Sequence, residues 1–262
     1  MTVILPRIFY AVVGAFSLWV GVWSYFEPSL VVNAIPWPAP PLHARFIGAL
    51  NLSAFVICAG AAFSRSPAAT RHVPLLIAVW AGVICGASFL HLSATQFDEV
   101  PVRIWIFAYI AFPLVAIFLS LGAGQGAAGQ SVQPLSVWQK TYLGIQGGVL
   151  LGLGAVLFLA PALAATLWPW ALNETLAQLY AGPLLAYGIV SLMALRVGYG
   201  PAKLPMAGAL VFAVLVLVAS LLHRALFSPQ AVSSWVWFMG FAAAALSLAV
   251  FLVPAVKWRR IS

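Results

Sequence analysis

The chain has 262 residues, 64% of them hydrophobic and only 6% charged, with a mean hydropathy of +1.08 and a formal net charge of +8. A water-soluble domain carries roughly a quarter charged residues to solvate its surface, so this composition excludes one and leaves a chain whose solvent is mostly lipid. The basic residues lie scattered between apolar runs and form no single patch, which argues against nucleic acid as a partner and for a topological role.

Taken in chain order, windows of about 19 residues give apolar spans at 8–26, 46–63, 73–95 and 102–122, then 141–160, 176–195, 204–226 and 232–255. Each has the roughly 20 residues needed to cross a hydrocarbon core of about 30 Å. The predicted fold class is therefore all-α, a polytopic membrane protein of about eight helices. The first span follows Arg7 but ends in "SYFEP" without a small-residue cleavage site, and so reads as a retained helix. Cys58 and Cys85 each lie inside an apolar run, which argues against a disulfide framework, and their spacing is not that of a cysteine metal site.

Between the fourth and fifth spans, residues 123–137 form a Gly/Ala/Gln/Ser stretch that reads as a linker. It separates a first four-helix unit, 1–122, from a second, 138–262. The two align with each other. At an offset of 133, Arg7 pairs with Lys140, Gly14 with Gly147, Gly21 with Gly154, Pro36 with Pro169 and Trp37 with Trp170; at 132, Ser88 pairs with Ser220, His91 with His223 and Trp105 with Trp237. This pattern reads as an internal duplication. Four spans per unit make the repeat parallel, with a pseudo-twofold along the membrane normal.

The N-terminal side, side I, collects Arg7, Arg65, Arg71, Lys140, Arg196, Lys203, Lys257, Arg259 and Arg260. Side II holds Arg45, Arg103 and Arg224 with all the acids, Glu27, Asp98, Glu99 and Glu174. Lys and Arg mark cytoplasmic loops, so both termini are expected in the cytoplasm, and short loops without a soluble domain suggest a bacterial inner membrane.

On side II, "AIPWPAPPLHARFIGA" and "TLWPWALNETLAQLYAG" occupy equivalent places between the first and second spans of each unit. Their prolines oppose a regular helix and their tryptophans favour the headgroup level, so each reads as an interfacial segment folded back over the bundle. Trp37, Arg45, Asp98, Glu99, Arg103 and Trp170 make a candidate docking or ligand site on this face, with a charged rim in the first unit only. The W-P-W-A-L run 168–172, with Pro36-Trp37-Pro38 and Ala44-Arg45-x-x-Gly48, resembles a class of uncharacterised bacterial membrane proteins carrying W-P-W-x-L before an A-R-x-x-G helix start. The resemblance implies a polytopic fold and carries over no activity, cofactor or site.

Gly14 and Gly21 share a helix face, and Gly144, Gly148 and Gly152 form a doubled G-x-x-x-G. Such residues let helices approach closely in lipid, which predicts the first and fifth spans as a tightly packed central pair. Equivalence of His91 and His223 raises bis-histidine ligation of haem or another porphyrin; otherwise no cofactor and no metal are predicted. No acidic or basic residue falls mid-span, where coupled transporters and pumps keep them, and no catalytic motif appears. Ser17, Asn51, Ser53, Ser88, Tyr109, Gln146, Tyr187 and Ser191 are the mid-span polar groups. The sequence thus points to a non-catalytic integral membrane protein, an accessory or scaffolding subunit among other membrane subunits and lipids, with a lipid- or quinone-like ligand on side II. The alternatives are an uncoupled transporter of a small neutral or apolar solute working by rocking of the repeats, and a haem-binding redox subunit.

Overall fold

The computed structural model describes residues 4–31, 36–37, 39–92, 98–122 and 133–253. Its helices are α1 (Ile4–Phe26), α2 (Pro41–Phe63), α3 (Pro67–Thr70), α4 (Val73–Leu90), α5 (Val100–Gly122), α6 (Val137–Leu159), α7 (Pro161–Leu167), α8 (Glu174–Val197), α9 (Tyr199–Leu222) and α10 (Val232–Leu252). Eight are long and apolar enough to cross a bilayer, α3 and α4 forming one span together. The protein is a multi-pass integral membrane protein, all-helical among the described residues.

The helix ends follow from local chemistry. Pro41, Pro67 and Pro161 stand at first-turn positions, where a missing N–H costs nothing. Ser136 and Gln139 form a reciprocal capping box on α6, and the Asn173 side chain accepts from Leu176 N–H at the start of α8. Arg7 donates to the Ser64 carbonyl at the end of α2, a cation on the negative end of that helix. The gap expected between the sixth and seventh spans shrinks to one residue. Gly198 takes φ 91°, open to glycine, and α9 starts at the next residue. Pro201 then falls in the first turn of α9, where it breaks nothing. Sequence reading ended one span at 195 and began the next at 204.

Packing is crosswise. Within the first unit α1 lies along α2 and α4 along α5; in the second α6 lies along α8 and α9 along α10. The main contacts between these pairs join different units: α2 packs on α9, and α4 on α8. Missing side chains make both approaches possible. A methyl on Gly182 of α8 would sit 2.8 Å from the Trp80 carbonyl oxygen of α4, and one on Gly208 of α9 would sit 2.5 Å from Ile57 of α2. At the centre α2 faces α8 through long side chains, with Ser53 Oγ 3.0 Å from the Tyr187 hydroxyl. The contacts recur at the sequence offset: Gly21 receives Leu52 as Gly154 receives Leu185.

The expected central pairing of α1 with α6 is not what forms. α8 and α2 are the most enclosed spans, while α6 and α10 are the least. On α6 the glycines that meet a neighbour are Gly147 and Gly154, pressed on Leu192 and Leu185 of α8. Gly144 barely reaches Leu195, and Gly148 and Gly152 meet nothing within 4 Å. Sequence spacing put the packing face of this helix at Gly144, Gly148 and Gly152, whereas within the chain it is Gly147 and Gly154 that meet α8.

Residues 123–132 of the expected linker lie outside the described residues, as do Lys257, Arg259 and Arg260. Residues 133–136 are described, and the Gln133 carbonyl accepts from Tyr199 N–H at the start of α9.

Candidate functional site

The two side II segments come to rest on the fourth span of their own unit. Trp37 stacks edge-on to Trp105 at 6.4 Å, and Trp170 edge-on to Trp237 at 4.7 Å. Both Trp37 and Trp170 are buried. Residues 32–35 and Pro38 of the first segment are outside the described residues.

Around the second segment the aromatic side chains fuse into one cluster. Trp168 lies 5.3 Å from Trp170 and 5.2 Å from Trp237, and Phe46 of α2 reaches Tyr180 at 4.5 Å and Trp237 at 5.9 Å. Offset and edge-to-face contacts of this kind add about 0.5–1.5 kcal/mol per pair beyond their buried area. Three helices and the W-P-W turn are thereby locked at one end of the bundle.

His43, in the first turn of α2, pins that turn in place. Its Nδ1 lies 2.7 Å from the Tyr180 hydroxyl and its Nε2 lies 2.8 Å from the Ala171 carbonyl oxygen. A carbonyl only accepts, so Nε2 carries the proton and Nδ1 accepts from Tyr180. A neutral imidazole of the first unit thus ties the W-P-W segment of the second unit to α8. The aligned residue of the second unit is Leu176, so this clasp occurs once. Sequence reading missed the clasp, although a histidine answered by leucine was its one visible signal.

The two histidines that the sequence alignment pairs, His91 and His223, are engaged crosswise. Arg45 of α2 donates to His223 Nε2 at 2.7 Å, at the end of α9. His91, at the end of α4, donates from Nε2 to Gln178 Oε1 of α8 at 2.6 Å, and the Thr175 hydroxyl stands 3.2 Å from its Nδ1. The Gln178 amide nitrogen is committed to the Phe158 carbonyl, which leaves its oxygen to accept and fixes the His91 tautomer. Arg45 and Gln178 are aligned residues, as are His91 and His223. One seam therefore carries a guanidinium–imidazole bond and the other an imidazole–amide bond. Arginine can only donate, so His223 must be neutral with its proton on Nδ1. Burial, and then the Arg45 guanidinium beside it, hold His223 below the ordinary imidazole pKa.

Asp98, Glu99 and Arg103 stand exposed at the start of α5, where the Glu99 carbonyl accepts from Arg103 N–H. The structure directs Arg45 to His223 and does not join it to these acids among the described residues. The candidate residues on side II therefore divide into buried tryptophans, a seam arginine and a solvated rim.

The indole N–H groups of Trp37, Trp105, Trp168 and Trp170 are buried and have no partner among the described residues. Each such donor costs about 1–3 kcal/mol if left dry. Chemically, this end of the bundle is apolar and aromatic, with a few buried hydrogen-bond donors inside it. Among the described residues no cluster of His, Cys, Asp or Glu is arranged to hold a metal ion. Compared with models of protein families, with curated proteins and with solved structures, the chain matches none.

Proposed function

We propose that this protein is a non-catalytic accessory subunit of the bacterial inner membrane, built from a duplicated four-span unit, whose open α6 face docks a transmembrane helix of a larger complex. The observation that carries the reading is the uncovered run Gly144, Gly148 and Gly152 on a span only 22% buried. It lies beside exposed Ile145 and Val149. A flat glycine lane with branched ridges lets a second backbone approach closely and gain dispersion that lipid tails do not supply. Contacts repeating at the offset of the two units support the duplication.

Crosswise packing supports a scaffold over a rocking transporter. With α2 set on α9 and α4 on α8, the sequence halves cannot move as separate bodies without opening both of these seams. Haem ligation by His91 and His223 would require both to leave their present hydrogen bonds. A lipid or quinone-like headgroup on side II would have to open the buried tryptophan cluster to reach its indole donors. Cations at the side I ends of the helices, including Arg7, Lys140 and Lys203, favour cytoplasmic termini.

Native mass spectrometry of the protein drawn gently from its own membranes tests the reading, with an absorbance spectrum of the same sample. Stoichiometric protein companions that are lost in Gly148→Ile support it. A solitary particle with or without bound lipid sinks it, and a Soret band moves the assignment to the histidines.

A further inference from the structure

A small cleft of about 30 Å³ opens at mid-depth inside the first unit, bounded by α1, α2, α4 and α5. Its walls are mostly carbon, from Val13, Ala54, Leu76 and Trp80 among others, but Ser17, Asn51 and Tyr109 also line it. All three are at least nine-tenths buried. Asn51 spends its amide N–H on the Ile47 carbonyl. Its Oδ1, the Ser17 hydroxyl and the Tyr109 hydroxyl have no partner among the described residues. Leaving such groups dry costs about 1–3 kcal/mol each, so three together at one cleft make an empty site expensive.

The second unit treats the same place differently. At the aligned positions Ser17 becomes Leu150, Asn51 becomes Leu184, Ala54 becomes Tyr187 and Tyr109 becomes Phe241. There the Tyr187 hydroxyl meets Ser53, and Gln146 donates to Ser191 at 2.8 Å. α8 and α9 also sit closer than α2 and α4 do. One unit is filled and internally satisfied; the other keeps a space with spare donors and acceptors.

We propose that this cleft is a binding site for a small uncharged hydrogen-bonding molecule, held by Ser17, Asn51 and Tyr109. A water needs about 10–15 Å³ of such volume and two to four polar partners, and both conditions are met. The size admits one or two waters, or a solute as small as methanol, and excludes a quinone ring. Charge is excluded too, because no ionised side chain lines the walls. Phe16, which lines the cleft from α1, packs on Trp105, Tyr109 and Phe112 at 5.4–6.2 Å. At the aligned places the second unit has Val149 for Phe16 and Ala244 for Phe112, so this aromatic wall belongs to the unit that has something to enclose. The site is separate from the α6 face and does not depend on its partner.

Water-edited solid-state NMR of the labelled protein in lipid bilayers reads the site directly. Tyr109 and Asn51 should receive water magnetisation several-fold faster than Tyr187, which lies at similar depth but is bonded to Ser53. Adding ¹³C-methanol separates the sources: a methanol–Tyr109 cross-peak identifies a site open to small solutes, and a water peak alone identifies a structural water site. Tyr109→Phe removes one hydroxyl at nearly constant volume and should slow transfer to Asn51 without unfolding the protein. Transfer to Tyr109 and Asn51 as slow as to Tyr187, with no methanol contact, overturns the proposal.

Discussion

Substituting Gly182 by alanine puts the crosswise fold to a quantitative test. The new methyl would stand 2.8 Å from the Trp80 carbonyl oxygen and 3.1 Å from the Ile84 side chain. Backbone cannot swing aside as a leucine tip can, so α8 must retreat from α4. Overpacking of this kind costs about 1–3 kcal/mol, and lengthening the seam loosens its other contacts. Alanine also favours helix by up to about 1 kcal/mol over glycine in water, a gain common to any glycine within a helix. The matched control is Gly148→Ala, where the methyl meets nothing within 4 Å. The difference between the variants removes the propensity contribution and isolates the clash, predicted at about 1–3 kcal/mol. Reversible unfolding in mixed detergent–lipid micelles measures it, with the isolated protein in both cases. Equal stability, or a more stable Gly182→Ala, would refute the close approach of α4 and α8.

Three further outcomes follow from the side II geometry and the α6 face. His43→Ala strands the Tyr180 hydroxyl and the Ala171 carbonyl, and should lower stability by about 2–4 kcal/mol at one to two unsatisfied groups' worth of desolvation; circular dichroism melts detect it. His223 has a depressed pKa in the folded chain, so its contribution is complete above about pH 6.5 and is lost as pH falls below that toward the folded value. Thermal stability should therefore drop on acidification. Arg45→Gln, which lets the imidazole donate as His91 does to Gln178, should reduce that drop; an unchanged pH profile would count against the guanidinium–imidazole bond. Gly148→Ile should leave the isolated protein folded and release its companions, as read in a pull-down from native membranes.

Membrane passage was legible because length and hydropathy alone determine it. The eight spans came from runs of apolar residues, and helix starts differed mainly where Pro41 or Gly198 let the helix begin earlier than the apolar run. Helix partners were not legible. In lipid an outward leucine and an inward leucine are alike in polarity, so Gly147 and Gly148 carry the same sequence signal while only Gly147 meets α8. The exchange of α9 and α4 between units is likewise invisible in hydropathy. At side II, alignment of His91 with His223 drew attention to the pair, but the answer lay in their different neighbours, Gln178 and Arg45. His43 stood out in no motif because its partners, Tyr180 and Ala171, are distant in sequence.

The most direct test of the docking face uses a photo-crosslinking residue placed in the native membrane, at Gly148 on α6 and, for comparison, at Phe107 on α5, which is 71% exposed. The account predicts a discrete protein adduct from position 148 and only lipid adducts from position 107. Lipid adducts alone at both positions, or the same protein adduct from each, would contradict it.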